Sequence, residues 1–228
     1  MLKRYNKKLI SLKLKSQVQL KRYISKGSFN TVFKGIYSKQ RHHVAIKFFD
    51  PTTNSDGVFE GAVLQRINHP NLVNVLHMSL TPNVGVIISP WCTIPLTEFD
   101  VPRLRVLVEQ LWDGLCCLHS HSLAHMDVKP DNVLVDVTSN GSVLYKLTDF
   151  NLMHFLATRL TYWVGTQGFI APEVLAASPE QPYLVSRTAD FYSLGILAQE
   201  IYPHPLPPPW ITRLISPTPS QRTLIQIN

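Results

Sequence analysis

The sequence predicts an α+β chain in two parts, a small strand-rich first part and a helical second part. Three observations predict it. Residues 18–50 alternate apolar and polar side chains in short runs, the period of half-buried strands. Leu104, Leu107, Leu111, Leu115 and Leu118 recur on one helical face. Hydrophobic residues make up 45% of the 228 and charged residues 16%, which excludes a disordered chain and supplies a sizeable core.

Taken in order, residues 1–17 are Lys-rich and read as a solvated arm or a first strand, with an anionic-partner patch or import signal as the functional alternative. VQLKRYISKG (18–27) and NTVFKGIY (30–37) are strands turning at Gly27-Ser28, and HHVAIKFF (42–49) is a third. VFEGAVLQRI (58–67) is a helix, broken by Pro70 and Asn71. NLVNVLHMSL (71–80) and VGVIIS (84–89) are two more strands. Residues 102–120 are a helix. NVLVDV (132–137) and VLYKLTDF (143–150) are strands around Ser139-Asn140-Gly141, and FYSLGILAQEI (191–201) is an apolar helix with Asp190 near its start. Residues 203–219 hold seven of the 17 prolines and read as a stiff connection, or as a polyproline ligand.

The formal charge of +7 is uneven. Residues 1–26 carry nine Lys or Arg and no acid, leaving the remainder at net −2. A fold-wide nucleic-acid surface is therefore disfavoured, and a nucleic-acid-binding reading rests on the basic segment alone. Cys92, Cys116 and Cys117 form no disulfide framework or zinc spacing, which favours a reducing compartment. There is no signal-peptide core, and the charge-free stretch 67–97 is interrupted by Pro70, Pro82, Pro90 and Pro95, so no membrane partner is expected. The expectation is a soluble intracellular protein, cytoplasmic or nuclear.

The chemistry lies in short motifs in one order: ISKGSFNTVFKG at 24–35, VAIK at 44–47, HMDVKPDN at 125–132, TDFN at 148–151, GTQGFIAPE at 165–173 and DFYSLG at 190–195. Each alone is weak; their order and separations are specific. Together they resemble the signature set of the eukaryotic-type protein kinases, over residues 18–228. The resemblance implies a two-lobe fold with a β-rich N-lobe (18–89), a hinge at 89–93 and a helical C-lobe (94–228). It also implies ATP and Mg²⁺ as cofactors, and proteins as substrates.

ATP brings about four negative charges, and phosphoryl transfer needs positioning and charge stabilisation more than covalent help. By resemblance, Lys47 holds the α- and β-phosphates and Glu60 fixes its ammonium. Asp127 is the catalytic base and Lys129 neutralises charge on the moving phosphoryl group. Asn132 and Asp149 supply hard oxygen ligands for Mg²⁺. The loop Ile24, Ser25, Lys26, Gly27, Ser28, Phe29, Asn30 and Thr31 covers the nucleotide, while Val32, Ala45 and Leu134 sandwich adenine. Cys92 supplies a hinge N–H and Pro90 a carbonyl, behind a small gatekeeper, Ser89. Leu64, Val75, His125 and Phe150 match the apolar column of active kinases. Asp190 matches the carboxylate that braces the catalytic loop, and Glu173 with Arg222 the ion pair that anchors the substrate segment. Lys129 in DVKPDN and Thr166 in GTQGF are similar to the serine/threonine class.

Four departures stand out. Ser25 and Asn30 occupy usual glycine positions of the phosphate loop, and Asn151 replaces the glycine after Asp149-Phe150. Met126 stands where many kinases have the Arg that pairs with a phosphorylated activation segment. Only 31 residues separate Asp190 from Arg222, roughly half the usual helical span, so the C-lobe is expected to be shortened, as in kinases of large DNA viruses, herpesvirus-like ones among them. The alternative to an active enzyme is a pseudokinase or decoy that binds nucleotide or partner kinases without turnover.

Overall fold

The computed structural model describes residues 1–228 apart from 27–29, 39–41, 54, 93, 139 and 224–228. It divides into two units, residues 1–68 with 73–92, and residues 69–72 with 93–228.

The first unit is built on an antiparallel sheet. Helix α1 (Leu2–Ser11) leads into β1 (Val18–Lys26), β2 (Asn30–Tyr37), β3 (His42–Phe49), helix α2 (Ser55–Leu64), β4 (His77–Thr81) and β5 (Val84–Pro90). The sheet order is β1-β2-β3-β5-β4. Register pairs Val32 with Lys47 and Lys47 with Ile87, so these three share one face, as do Ala45 and Ser89. The opposite face carries Phe33, Val44, Ile46 and Phe48, all buried in one apolar cluster.

Residues 2–11 correct the reading of a solvated arm or strand: they are helical, and Leu9, Leu12 and Leu14 lie in that same cluster. Tyr5 and Leu9 are one turn apart, which turns both toward the sheet while the lysines occupy the rest of the helix. Helix α2 begins and ends three residues earlier than the sequence predicts, and Pro70 disfavours its continuation. The strand expected over 71–80 is confined to β4. Asn71 instead joins the second unit, its amide donating to the carbonyl of Tyr145 (2.9 Å) and to Gln110 (3.0 Å).

The second unit contains β6 (Ile94–Pro95), helix α3 (Leu104–Ser120), β7 (Leu123–Ala124), β8 (Val133–Val137), β9 (Val143–Leu147), β10 (His154–Phe155) and β11 (Arg159–Leu160). Helix α4 (Pro172–Leu175), β12 (Tyr183–Leu184), α5 (Arg187–Ile201) and α6 (Pro209–Leu214) complete it. Strands β6-β8-β9 form a three-stranded sheet; β7 pairs with β10, and β11 with β12. The leucine face of α3 is buried, as its spacing predicts. The Pro-rich stretch, read as a stiff connection, contains a true short helix. Pro209 sits at the first helical position, where its missing N–H costs nothing, and Ile211 and Leu214 are buried. No helix among the described residues is long and apolar enough to cross a membrane.

Candidate active site

In the first unit the Lys47 ammonium lies 2.7 Å from the Glu60 carboxylate, and both side chains are largely buried. Strand β3 delivers Lys47 from the sheet face and α2 delivers Glu60. A Cβ on the neighbouring Gly61 would meet the Met78 thioether and lie 3.2 Å from Ile87 Cδ1, so a larger residue there would make the Met78 side chain shift. Val32 and Ala45 lie on the same sheet face as Lys47. Ile24, Ser25 and Lys26 end β1; Ser25 and Lys26 pair with Val32 and Thr31 of β2, where Asn30 is the first residue. Gly27, Ser28 and Phe29 lie outside the described residues. Cys92 is buried at the end of this unit.

In the second unit residues 125–132 form a loop between β7 and β8, closed by a 3-10 turn at Pro130–Asn132. Its polar groups converge on Asp127. Thr166 donates to Asp127 Oδ1 (2.6 Å), the Asn132 amide donates to Asp127 Oδ2 (2.8 Å), and the Lys129 ammonium sits 2.9 Å from Oδ2. Lys129 also donates to the Thr166 hydroxyl (2.6 Å), so Thr166 bridges carboxylate and ammonium. Burial alone would raise the Asp127 carboxyl. Hydrogen bonds from Thr166 and Lys129, with the Lys129 charge, outweigh it and hold the group below the usual carboxylate range.

The loop is braced from behind by Asp190, in the first turn of α5 and fully buried. Its Oδ1 accepts the Met126 N–H (2.8 Å), and its Oδ2 accepts the His125 N–H (2.9 Å) and the His119 ring (2.8 Å). Burial would raise this carboxyl too, but the His119 hydrogen bond and the further donors lower it. Two bonds set the tautomer of His125: Nδ1 accepts from the Asp127 N–H (3.3 Å), so Nε2 carries the proton given to the Thr148 carbonyl (3.1 Å). The Thr148 N–H in turn donates to the Asn132 carbonyl (3.0 Å). That exchange ties the segment bearing Asp149 to the one bearing Asn132.

Because the Asn132 amide nitrogen is committed to Asp127, the end of that amide turned away is its carbonyl oxygen, a hard donor. Asp149 adopts a positive φ of 59°, and its Oδ1 accepts from the Asn151 amide. Among the described residues no group of three or more His, Cys, Asp or Glu is arranged to hold a metal. One carboxylate and one amide oxygen fit Mg²⁺, which keeps water and phosphate ligands and needs few from the protein. His119 and His125 are structural, each tied by the bonds just given.

Leu134 lies in β8, paired across from Lys146. The rings of His125 and Phe150 are 4.9 Å apart, and Leu64 is buried in the first unit. Arg222 is buried, with both terminal nitrogens on Glu173 (2.5 and 2.8 Å) and its Nε on the Ser216 carbonyl (2.8 Å). One residue escaped the sequence reading. Gly165 has φ 121°, and a Cβ there would lie 2.8 Å from the Met126 carbonyl oxygen. This close approach delivers Thr166 to Asp127. Its only sequence signal is a glycine directly before that threonine.

A family model of the protein kinase domain matches residues 18–211. The chain belongs to the protein kinase family. The kinase is 26% identical over 191 residues to a probable myosin light chain kinase of Dictyostelium discoideum, covering 78% of this chain and 60% of that protein. It is 30% identical over 193 residues to serine/threonine-protein kinase 36 of Pongo abelii, covering 78% and 14%. It is 28% identical over 212 residues to the RAF proto-oncogene serine/threonine-protein kinase of Xenopus laevis, covering 84% and 32%. The kinase thus spans between 14% and 60% of the length of these relatives. Helix α1 precedes the matched stretch.

Proposed function

We propose that this chain is an active serine/threonine protein kinase that moves the γ-phosphoryl group of Mg-ATP to protein hydroxyls. The observation that carries the reading is the group formed by Asp127, Lys129, Asn132 and Thr166, in which every polar side chain has a partner within 2.9 Å. The Asp127 carboxyl is held below the usual carboxylate range despite its burial, so at neutral pH it is the ionised acceptor that a hydroxyl proton requires. Lys129, beside it, carries the positive charge that a transferring phosphoryl group requires.

In the proposed step the substrate hydroxyl gives its proton to Asp127 and its oxygen bonds to the γ-phosphorus. The bond to the β-γ bridging oxygen breaks, leaving ADP. Lys47, held by Glu60, would bind the α- and β-phosphates; Ile24 to Lys26 and Asn30 would flank them, with the Thr31 side chain turned to the opposite sheet face, and Val32, Ala45, Leu134 and the Cys92 N–H would hold adenine. Asn132 and Asp149 would hold Mg²⁺, which would supply positive charge to neutralise the phosphates. Lys129 and Thr166 support the serine/threonine class, as does the similarity to two serine/threonine-protein kinases.

The test is transfer of radiolabelled phosphate from ATP to a generic basic protein. Asp127→Asn and Lys47→Ala should each lower kcat/KM by about a hundredfold or more, the loss expected when a positioned group is removed. Equal incorporation by wild type and both variants would mean a contaminating enzyme and would favour a nucleotide-binding or decoy protein instead.

A further inference from the structure

Helix α1 lies against the sheet face opposite the one that carries Lys47, and its contacts fall at particular places. The Tyr5 hydroxyl donates to the Thr31 hydroxyl oxygen at 2.9 Å. The Tyr5 ring packs 4.8 Å from Phe33 and 4.9 Å from Phe48. Thr31 is buried, and it pairs with Lys26 across β1–β2 and with Phe48 across β2–β3. Tyr5 therefore grips the β1–β2 hairpin at the pair Lys26 and Thr31. Each residue it touches adjoins one on the opposite face: Thr31 lies between Asn30 and Val32, and Phe48 follows Lys47.

The hairpin needs such a grip. Its ladder is irregular twice, between Leu20 and Arg22 and between Tyr23 and Ser25, where β-bulges loosen pairing and raise twist. A valine would fill the space of Thr31 without a hydroxyl. The threonine is buried and its hydroxyl faces Tyr5, which packs on the apolar cluster, so leaving that hydroxyl unpartnered is costly. We propose that Tyr5 is a positioning residue for the nucleotide, acting through Thr31 to hold the base of the phosphate loop in register with Lys47. This rests on the kinase reading above.

The test uses the full chain with Tyr5→Phe, which keeps the ring packing and removes only the hydroxyl. Titration with a fluorescent ATP analogue and steady-state kinetics should show nucleotide Kd and ATP KM raised about three- to tenfold, the range of one net hydrogen bond, with kcat changed less than KM. Thr31→Val should do the same, Thr31→Ser should restore wild-type affinity, and the double variant should be no worse than either single one. Unchanged Kd and KM with a lowered Tm, or additive single effects, would overturn the proposal and leave Tyr5 a packing residue. A wild-type chain that binds no nucleotide would instead sink the kinase reading, and this one with it.

Discussion

Residues 125–132 are held by polar groups, whereas strands β1 to β3 are held by rings and leucines. Behind the loop, one buried carboxylate, Asp190, takes two backbone N–H groups and a histidine, and the loop's own side chains close on Asp127. Behind the strands, Leu9, Leu12, Leu14, Phe33 and Phe48 form an apolar cluster. Charge-assisted hydrogen bonds are short and directional, so they fix individual atoms; apolar packing fixes whole surfaces and tolerates small slides. The loop that carries Asp127 is thus over-determined atom by atom, while the sheet that carries Lys47 is set as a body.

The comparison can be broken most sharply at Asp190. Asp190→Ala leaves three buried donors without an acceptor and should cost about 4 kcal/mol in urea unfolding, with activity lost. A cost below about 1 kcal/mol would show that the loop holds itself. On the other side, Leu9→Ala should cost about 3 kcal/mol through the transfer and cavity terms of a fully buried leucine. A negligible cost would return residues 1–17 to the status of an arm.

Acid sharpens the contrast. The native carboxyls of Asp127 and Asp190 are depressed, so their contribution is present above the unfolded carboxylate value of about 4 and is lost as pH falls through the lower native values. Urea midpoints followed from pH 6 to pH 2 should therefore fall below about pH 4 in wild type. The fall should be shallower in Asp190→Asn, and an equal slope would remove Asp190 from the account.

The smallest expected effect is none at all. Met126 is buried with Leu160, Val164, Tyr183 and Val185, so apolar packing occupies the place where an arginine would meet a phosphate. Phosphatase treatment should leave activity unchanged despite Thr158, Thr161 and Tyr162. A large loss would show that one of them carries a needed phosphate.

Much of the site was legible because phosphoryl chemistry demands particular groups at particular intervals. Asp127, Lys129 and Asn132 stand at spacings that only a shared loop explains, and Glu60 followed from the family resemblance. Helix α1 was hidden because its lysines mask a stripe of one apolar residue per turn. Helix α6 was hidden by its prolines, which read as breakers unless they fall at a first helical position. The strand predicted at Asn71 failed because its amide is spent on Tyr145 and Gln110, far along the chain.

Residue types, periodicity and motif order by themselves determined the family and most element types, and they named the candidate site residues, since these depend on neighbours along the chain. Tertiary structure alone decided the rest: that Gly165 must be a glycine, that Asp190 carries three donors, and that Tyr5 meets Thr31. Those contacts join residues far apart in sequence. A buried polar group takes whatever partner packing brings within reach, and no local pattern records which one that is.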